Sequence, residues 1–151
     1  MPTAAHDAHR HIGRLPSYPF YGGPPISPDT TARETVAELF DDLDAERTER
    51  ALVLPNYGVP DPDVAFGLNH LALEAAQADD RVRCGLWVSP KGTDHDRNTA
   101  SLALAGEEGV AALKTSFLLG GAVDDEDSVE ELERIFTTAA EKGLVVHVHT
   151  S

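Results

Sequence analysis

Cysteine is almost missing from this sequence: of 151 residues, only Cys84 carries a thiol. One thiol builds no internal disulfide framework and no Cys-rich metal site. Basic residues are also scarce, with 12 Lys and Arg against 26 Asp and Glu, a formal net charge of −14. That excess of acid argues against nucleic acid and anionic membranes as partners, because phosphate binding needs clustered Lys and Arg. No stretch approaches the roughly 18–20 apolar residues of a membrane span. Residues 1–10 lack the apolar core of a signal peptide. No Gly-x-Gly-x-x-Gly, Walker loop or Gly-x-Ser-x-Gly elbow occurs. What remains is ordinary globular composition, 41% hydrophobic and 25% charged. It predicts one domain over residues 1–151 with a real core, in the cytoplasm.

Five apolar runs alternate with longer amphipathic stretches, the pattern of repeated β-α units on a parallel sheet and an α/β fold. The runs cover residues 4–13, 51–54, 82–88, 110–119 and 144–149. Four helices fit between them. Over 35–49, Val36, Leu39, Phe40 and Leu43 form one apolar stripe. Asp61-Pro62 is a cap-then-proline start for a helix carrying Val64, Leu68, Leu71, Ala72 and Ala75. A poorly patterned helix is expected over 96–105. The fourth is expected to open at a Ser128-x-x-Glu131 capping box, bury Leu132, Ile135, Phe136 and Ala139, and stop at Gly143. Clustered acids such as Asp124 to Asp127 and Glu130-Glu131 read as a solvated face. Residues 13–30 hold five prolines, two adjacent glycines and Tyr18, Phe20 and Tyr21. A connection that long reads as an active-site loop or as a loop packed on the rim.

The chemistry concentrates in Asp7-Ala8-His9-Arg10-His11. Side chains at i and i+2 of a strand share a face, so His9 and His11 should point the same way with Asp7 one step behind. Two neutral imidazoles so held suit a borderline ion such as zinc, and Asp7 could orient a ligand or bind weakly itself. The spacing recurs in His147-Val148-His149. Seven histidines scattered over 151 residues would give roughly 0.3 His-x-His pairs by chance. Both pairs fall at or near the C-terminal end of an expected strand, where parallel α/β folds build sites. Lys114 interrupts an apolar run. It could bind a substrate carboxylate, bridge metals if carbamylated, or snorkel to water from a strand end. Arg14, Tyr18 and Tyr21 of the 13–30 loop join Lys114 and His147 as candidate substrate contacts. His6 and His95 read as surface residues, His70 as a helix-packing residue and Cys84 as inert core.

The stretch Asp7-Ala8-His9-Arg10-His11-Ile12-Gly13 resembles the first-strand motif of the amidohydrolase superfamily. The branch it resembles includes aminocarboxymuconate-semialdehyde decarboxylase and related hydrolases. Arg50 to Pro55, Asn69 with Asp80-Arg81-Val82, Gly109 to Lys114 and Leu144 to Thr150 resemble its later strands and helix. The resemblance implies a (β/α)8 barrel of TIM type with a metal at its C-terminal mouth. It implies His9, His11 and His149 as ligands of a divalent ion, zinc first, with manganese or iron as alternatives. Such families also use a histidine from strand six and an aspartate from strand eight, which lie beyond residue 151. A full barrel takes roughly 250 residues, so about five strands and four helices are expected here. The chain then belongs to a longer product, is completed by a second polypeptide or as a homo-oligomer, or no longer catalyses. The expected reaction is metal-assisted hydrolysis of an amide, ester or lactone in a small molecule. Non-oxidative decarboxylation on the same ligands, or a noncatalytic half-barrel that binds a partner chain, are the alternatives.

Overall fold

The computed structural model describes residues 5–13, 33–56, 61–117 and 120–149. Five strands form one sheet in the order β1-β2-β3-β4-β5, every neighbouring pair parallel. They are β1 Ala5–Ile12, β2 Thr48–Pro55, β3 Val82–Trp87, β4 Val110–Ser116 and β5 Val145–His149. The connecting helices are α1 Val36–Ala45, α2 Pro62–Ala78, α3 His95–Ala103 and α4 Glu126–Lys142. This is the β-α alternation the sequence predicts, curled as the first part of a TIM-type barrel. Among the described residues, no helix is long and apolar enough to cross a membrane.

Helix ends follow local chemistry more than the apolar stripe. Thr35 caps α1 reciprocally with Glu38, a full capping box. The helix stops at Ala45, short of the expected 49, because Arg47 turns to φ 56 and Thr48 already begins β2. Asp61 accepts from the Asp63 N–H and Pro62 opens α2, as expected. The Ser128 capping box is not formed. Asp125 is the cap, accepting from the Ser128 N–H at 3.0 Å, and α4 starts two residues before Ser128. Ser128 and Glu131 are both turned into the protein, so Glu131 is not part of a solvated face. Phe136 lies 49% exposed beside the buried stripe of Ile135 and Ala139. Gly143 closes α4 in the left-handed conformation at φ 68, as the sequence predicts.

The two faces of the sheet are sorted by register. On the outer face, Ala51, Val53, Val82, Cys84, Leu86 and Leu113 pack against Leu39 and Leu43 of α1, Ala72 and Ala75 of α2, and Ile135 and Ala139 of α4. This is the main core, and Cys84 is buried in it with its thiol pushed up to about 12 by burial. The inner face is set by the pairings Leu52↔Arg83, Gly85↔Ala112, Trp87↔Lys114, Lys114↔His147 and Ser116↔His149. Gly85 has a reason to be glycine, because a Cβ there would sit 2.5 Å from Leu54 Cδ2. Leu54 therefore lies across β3 and floors the inner face.

Candidate functional site

All five strands point the same way, so their C-terminal ends share one rim. β1 brings His9 and His11 to it, β4 brings Lys114 and Ser116, and β5 brings His147 and His149. The Nε2 atoms of His9 and His11 are 3.0 Å apart. Their ring centroids are 4.8 Å apart, and the His9 and His147 rings meet edge-on at 4.7 Å. β1 and β5 are the two outermost strands, so this contact requires the sheet to curl until its edges face each other. His149 lies one inward step beyond His147 on the same strand face. Among the described residues, no three His, Cys, Asp or Glu side chains meet closely enough to enclose an ion. Arg14, Tyr18 and Tyr21 lie outside the described residues.

The electrostatics favour neutral rings at His9 and His147. Burial lowers the His9 pKa, and His11 and Lys114 lower it further. Burial and the Lys114 charge do the same to His147. An unprotonated imidazole is the ligand-competent form. His11 Nδ1 lies 3.4 Å from the Pro55 carbonyl oxygen. That is long for a hydrogen bond, but it favours the tautomer that leaves Nε2 as the lone-pair atom facing His9. Lys114 is fully buried at 0% exposure, which excludes the snorkelling reading, and burial lowers its pKa.

Asp7 does not stand with the histidines. It pairs with Ala51 while Arg10 pairs with Val53, three positions on β1 against two on β2. The extra residue is a β-bulge, and it turns Asp7 to the helix side. There Asp7 accepts from Arg10 Nε at 2.8 Å and from the His9 N–H at 3.0 Å. Burial opposes ionisation of Asp7, but these two donors hold its carboxyl below the usual range.

Two asparagines hold backbone in a way the sequence reading did not assign, Asn69 having been named there only for the resemblance. Asn69 of α2 accepts from the Trp87 N–H at 2.6 Å and donates to the Trp87 carbonyl at 3.0 Å and to Ser101 Oγ at 2.8 Å. Asn98 of α3 clamps Ser89 the same way, both bonds at 2.8 Å, and donates to Glu131 at 2.7 Å. Each amide stands in for a strand on the β2 side of β3, where pairing with β2 ends at Cys84 while pairing with β4 continues to Trp87. The signal for Asn69 was present, since Ala65, Asn69, Ala72 and Ala76 form one buried helical stripe with a polar member. Asn56, which follows Leu54 on the inward parity, is buried, and its Nδ2 has no hydrogen-bond partner among the described residues. His95, expected at the surface, is half exposed yet bonded to Glu131 at 2.5 Å. His70, expected to pack, is exposed on α2 beside a groove of about 380 Å³ with Leu73, Glu74, Gln77 and Ala78.

The two His-x-His pairs on facing strands are joined by a match of residues 7–151 to the amidohydrolase family model. The chain belongs to the amidohydrolase family. Its fold is similar to that of a probable 2-pyrone-4,6-dicarboxylic acid hydrolase from Acinetobacter baumannii, solved with citric acid bound. The TM-score is 0.54 at 16% identity, covering 98% of this chain and 50% of that one. This amidohydrolase chain thus spans about half the length of that structure. No curated protein sequence matches it. Amidohydrolases generally use divalent metals.

Proposed function

We propose that this chain carries the metal-binding and substrate-carboxylate half of an amidohydrolase site acting on a small anionic ester, lactone or amide. The observation that supports it best is the sorting of charge. The five strands hold only two acids, Asp7 and Glu49. Asp7 pairs with Ala51 on the helix side, and Glu49 has the same parity as Ala51 and Val53. The inner face instead carries Lys114, His9, His11, His147 and His149, in a chain of net charge −14.

His9 and His11 would hold a divalent ion, with His149 or its strand neighbour His147 as a third ligand from β5. Two nitrogens each about 2.0–2.1 Å from one zinc ion lie about 3.4 Å apart in tetrahedral geometry and about 3 Å in octahedral geometry. The observed 3.0 Å fits that range. Such an ion would polarise a carbonyl and activate water for attack. Lys114 holds a substrate carboxylate in a dry setting where its charge acts strongly. Ser116, the register partner of His149, and the Asn56 amide offer neutral hydrogen bonds to the same substrate. The similar solved structure is a probable hydrolase of a dicarboxylic acid and holds citric acid, which accords with a cationic inner face.

The outer strands are also open to further partners. β5 is a sheet edge, with Val145 66% exposed on the inner side and Phe136 of α4 49% exposed on the helix side. A further parallel strand and helix fit it, in this polypeptide or another, and would bring the remaining catalytic groups. A cytoplasmic location accords with the acidic, single-cysteine composition.

Titration with zinc and with 2-pyrone-4,6-dicarboxylate, read by Trp87 fluorescence, tests this reading. Trp87 is the sole tryptophan and the register partner of Lys114. Saturable quenching that is lost in Lys114→Met and in the His9→Gln, His11→Gln double variant is the expected result. Equal response in all three proteins would overturn it. Release of carbon dioxide rather than ring-opened acid by the assembled enzyme would replace hydrolysis with decarboxylation.

A further inference from the structure

The irregularity in β1 is confined to two residues. Ala5 pairs with Thr48 and His11 with Leu54, so both strands advance by the same count, 11 − 5 = 6 and 54 − 48 = 6. Between these points the register slips twice in compensating directions. Ala5↔Thr48 is followed by His6↔Arg50, which skips a residue of β2, and Asp7↔Ala51 is followed by Arg10↔Val53, which restores it on β1. A regular ladder counted back from His11↔Leu54 would place Asp7 opposite Arg50, on the parity of Leu52 and Leu54. Asp7 would then face inward with His9 and His11. The two slips flip Asp7 to the other face while leaving the histidine end of the strand in register.

The flipped carboxylate is held firmly. Arg10 Nε reaches it at 2.8 Å, and the Arg10 guanidinium is itself tied to Glu46 of α1. Asp42 of α1 stands 3.8 Å from the same guanidinium. The other oxygen of Asp7 takes the His9 N–H at 3.0 Å, so the acid holds the backbone inside the bulge. The acid thus bridges the bulge from the His9 backbone to Arg10, and Arg10 fixes the acid to α1.

We propose that Asp7 is a positioning residue: through the His9 N–H and Arg10 it holds the bulged backbone of β1 at His9, and with it the His9 ring that meets His11 and His147. The same lock keeps a carboxylate off the inner face. The metal side of this inference rests on the proposed function above; the backbone side does not.

The test uses the full chain with Asp7→Ala, Asp7→Asn and Arg10→Met. Zinc affinity is read by competition with a chromogenic chelator, and the His9 backbone amide by hydrogen exchange in NMR. Asp7→Ala should weaken zinc binding about 10–100-fold, the range for groups that orient ligands. It should also speed His9 amide exchange at least about tenfold. Asp7→Asn keeps an oxygen for the His9 N–H and should stay within about threefold of the parent in both readouts. An equal loss of zinc affinity in Asp7→Asn and Asp7→Ala, with His9 exchange unchanged in Asp7→Asn, would show that the charge itself acts on the metal and would overturn the proposal. So would a parent-like Asp7→Ala. If Asp7→Ala does not fold, Arg10→Met decides: faster His9 exchange supports the lock, and unchanged exchange overturns it. If the parent chain binds no zinc, the proposed function falls, and the exchange data alone judge Asp7.

Discussion

The outer and inner faces of this sheet solve opposite electrostatic problems. The helix layer carries the acids and disposes of them in ion pairs: Arg33 with Asp42 at 2.5 Å, Arg81 with Asp79 at 2.7 Å, Arg97 with Asp63 at 2.7 Å. The inner face has no strand acid, yet it buries a lysine among imidazoles. Outer pairs are partly solvated and screened, so each contributes little to stability. The inner lysine is fully desolvated, so it costs stability and acts strongly on whatever enters. A sheet face without strand acids, in a chain of net charge −14, is what the proposed anionic substrate requires. The largest expected effects of substitution therefore lie on the inner side, and they need not be losses.

The inner face depends first on the amide clamps. Asn69→Leu removes the partner of both Trp87 backbone groups and of Ser101 in a fully buried setting. At about 1–3 kcal/mol for each buried group left unsatisfied, a loss of about 3 kcal/mol is expected. Urea unfolding followed by Trp87 emission measures it. A loss below that of an exposed ion pair would mean that the end of β3 is held by something other than Asn69.

The next effect is pH dependence. The folded-state pKa values of His9 and His147 lie below the ordinary 6.5. Between the folded and unfolded values the unfolded chain binds more protons, so stability rises with pH there. Stability should therefore fall as pH drops below about 6.5 and level off once the folded rings are also protonated. A His9→Gln, His147→Gln double variant should show a flatter profile over that window. An unchanged slope would break the claim that His9 and His147 are held neutral.

Much of this contrast was legible in the sequence. The five runs and the two His-x-His pairs predicted the strands and the rim they share. The face of Asp7 was not legible, because alternation assumes an unbroken ladder and two compensating slips leave no mark in the composition. The start of α4 was misread for a similar reason. Ser128 and Glu131 have capping-box spacing, but Asp125 caps one turn earlier and Glu131 serves Asn98, His95 and Arg134 instead. The helix α3 looked poorly patterned because it buries Asn98 and Ser101 rather than an apolar stripe.

Lys114 itself gives a smaller change, of opposite sign. Its pKa is lowered by burial, so the folded state disfavours its charge below the unfolded value near 10.5. The sign follows from linkage: a base with a depressed pKa destabilises the fold at neutral pH, and the penalty is relieved as pH rises towards 10.5. Lys114→Met keeps the stem and removes the charge. It should raise stability at pH 7 by about 1 kcal/mol, within the range found when buried ions are replaced by apolar side chains, while abolishing carboxylate binding. A variant that loses both stability and binding would show that the ammonium is held by structure rather than kept for a ligand.

The smallest effect belongs to the outer face, and it calibrates the rest. Arg33 and Asp42 make two hydrogen bonds, at 2.5 and 3.0 Å, and the Arg33 guanidinium holds the Asp42 carboxyl below the usual carboxylate range. The Arg33 side chain is also 38% exposed. Water and salt compete for both partners, and ordering the arginine costs side-chain entropy. Arg33→Gln should shift the urea midpoint less than Lys114→Met does, and in the destabilising direction. In about 1 M salt, where the screening length is about 3 Å, the difference from the parent should vanish. The Lys114→Met shift should persist there, because a buried charge is screened far less. If salt erased both shifts alike, the inner lysine would be as wet as the outer arginine, and the contrast between the two faces would fail.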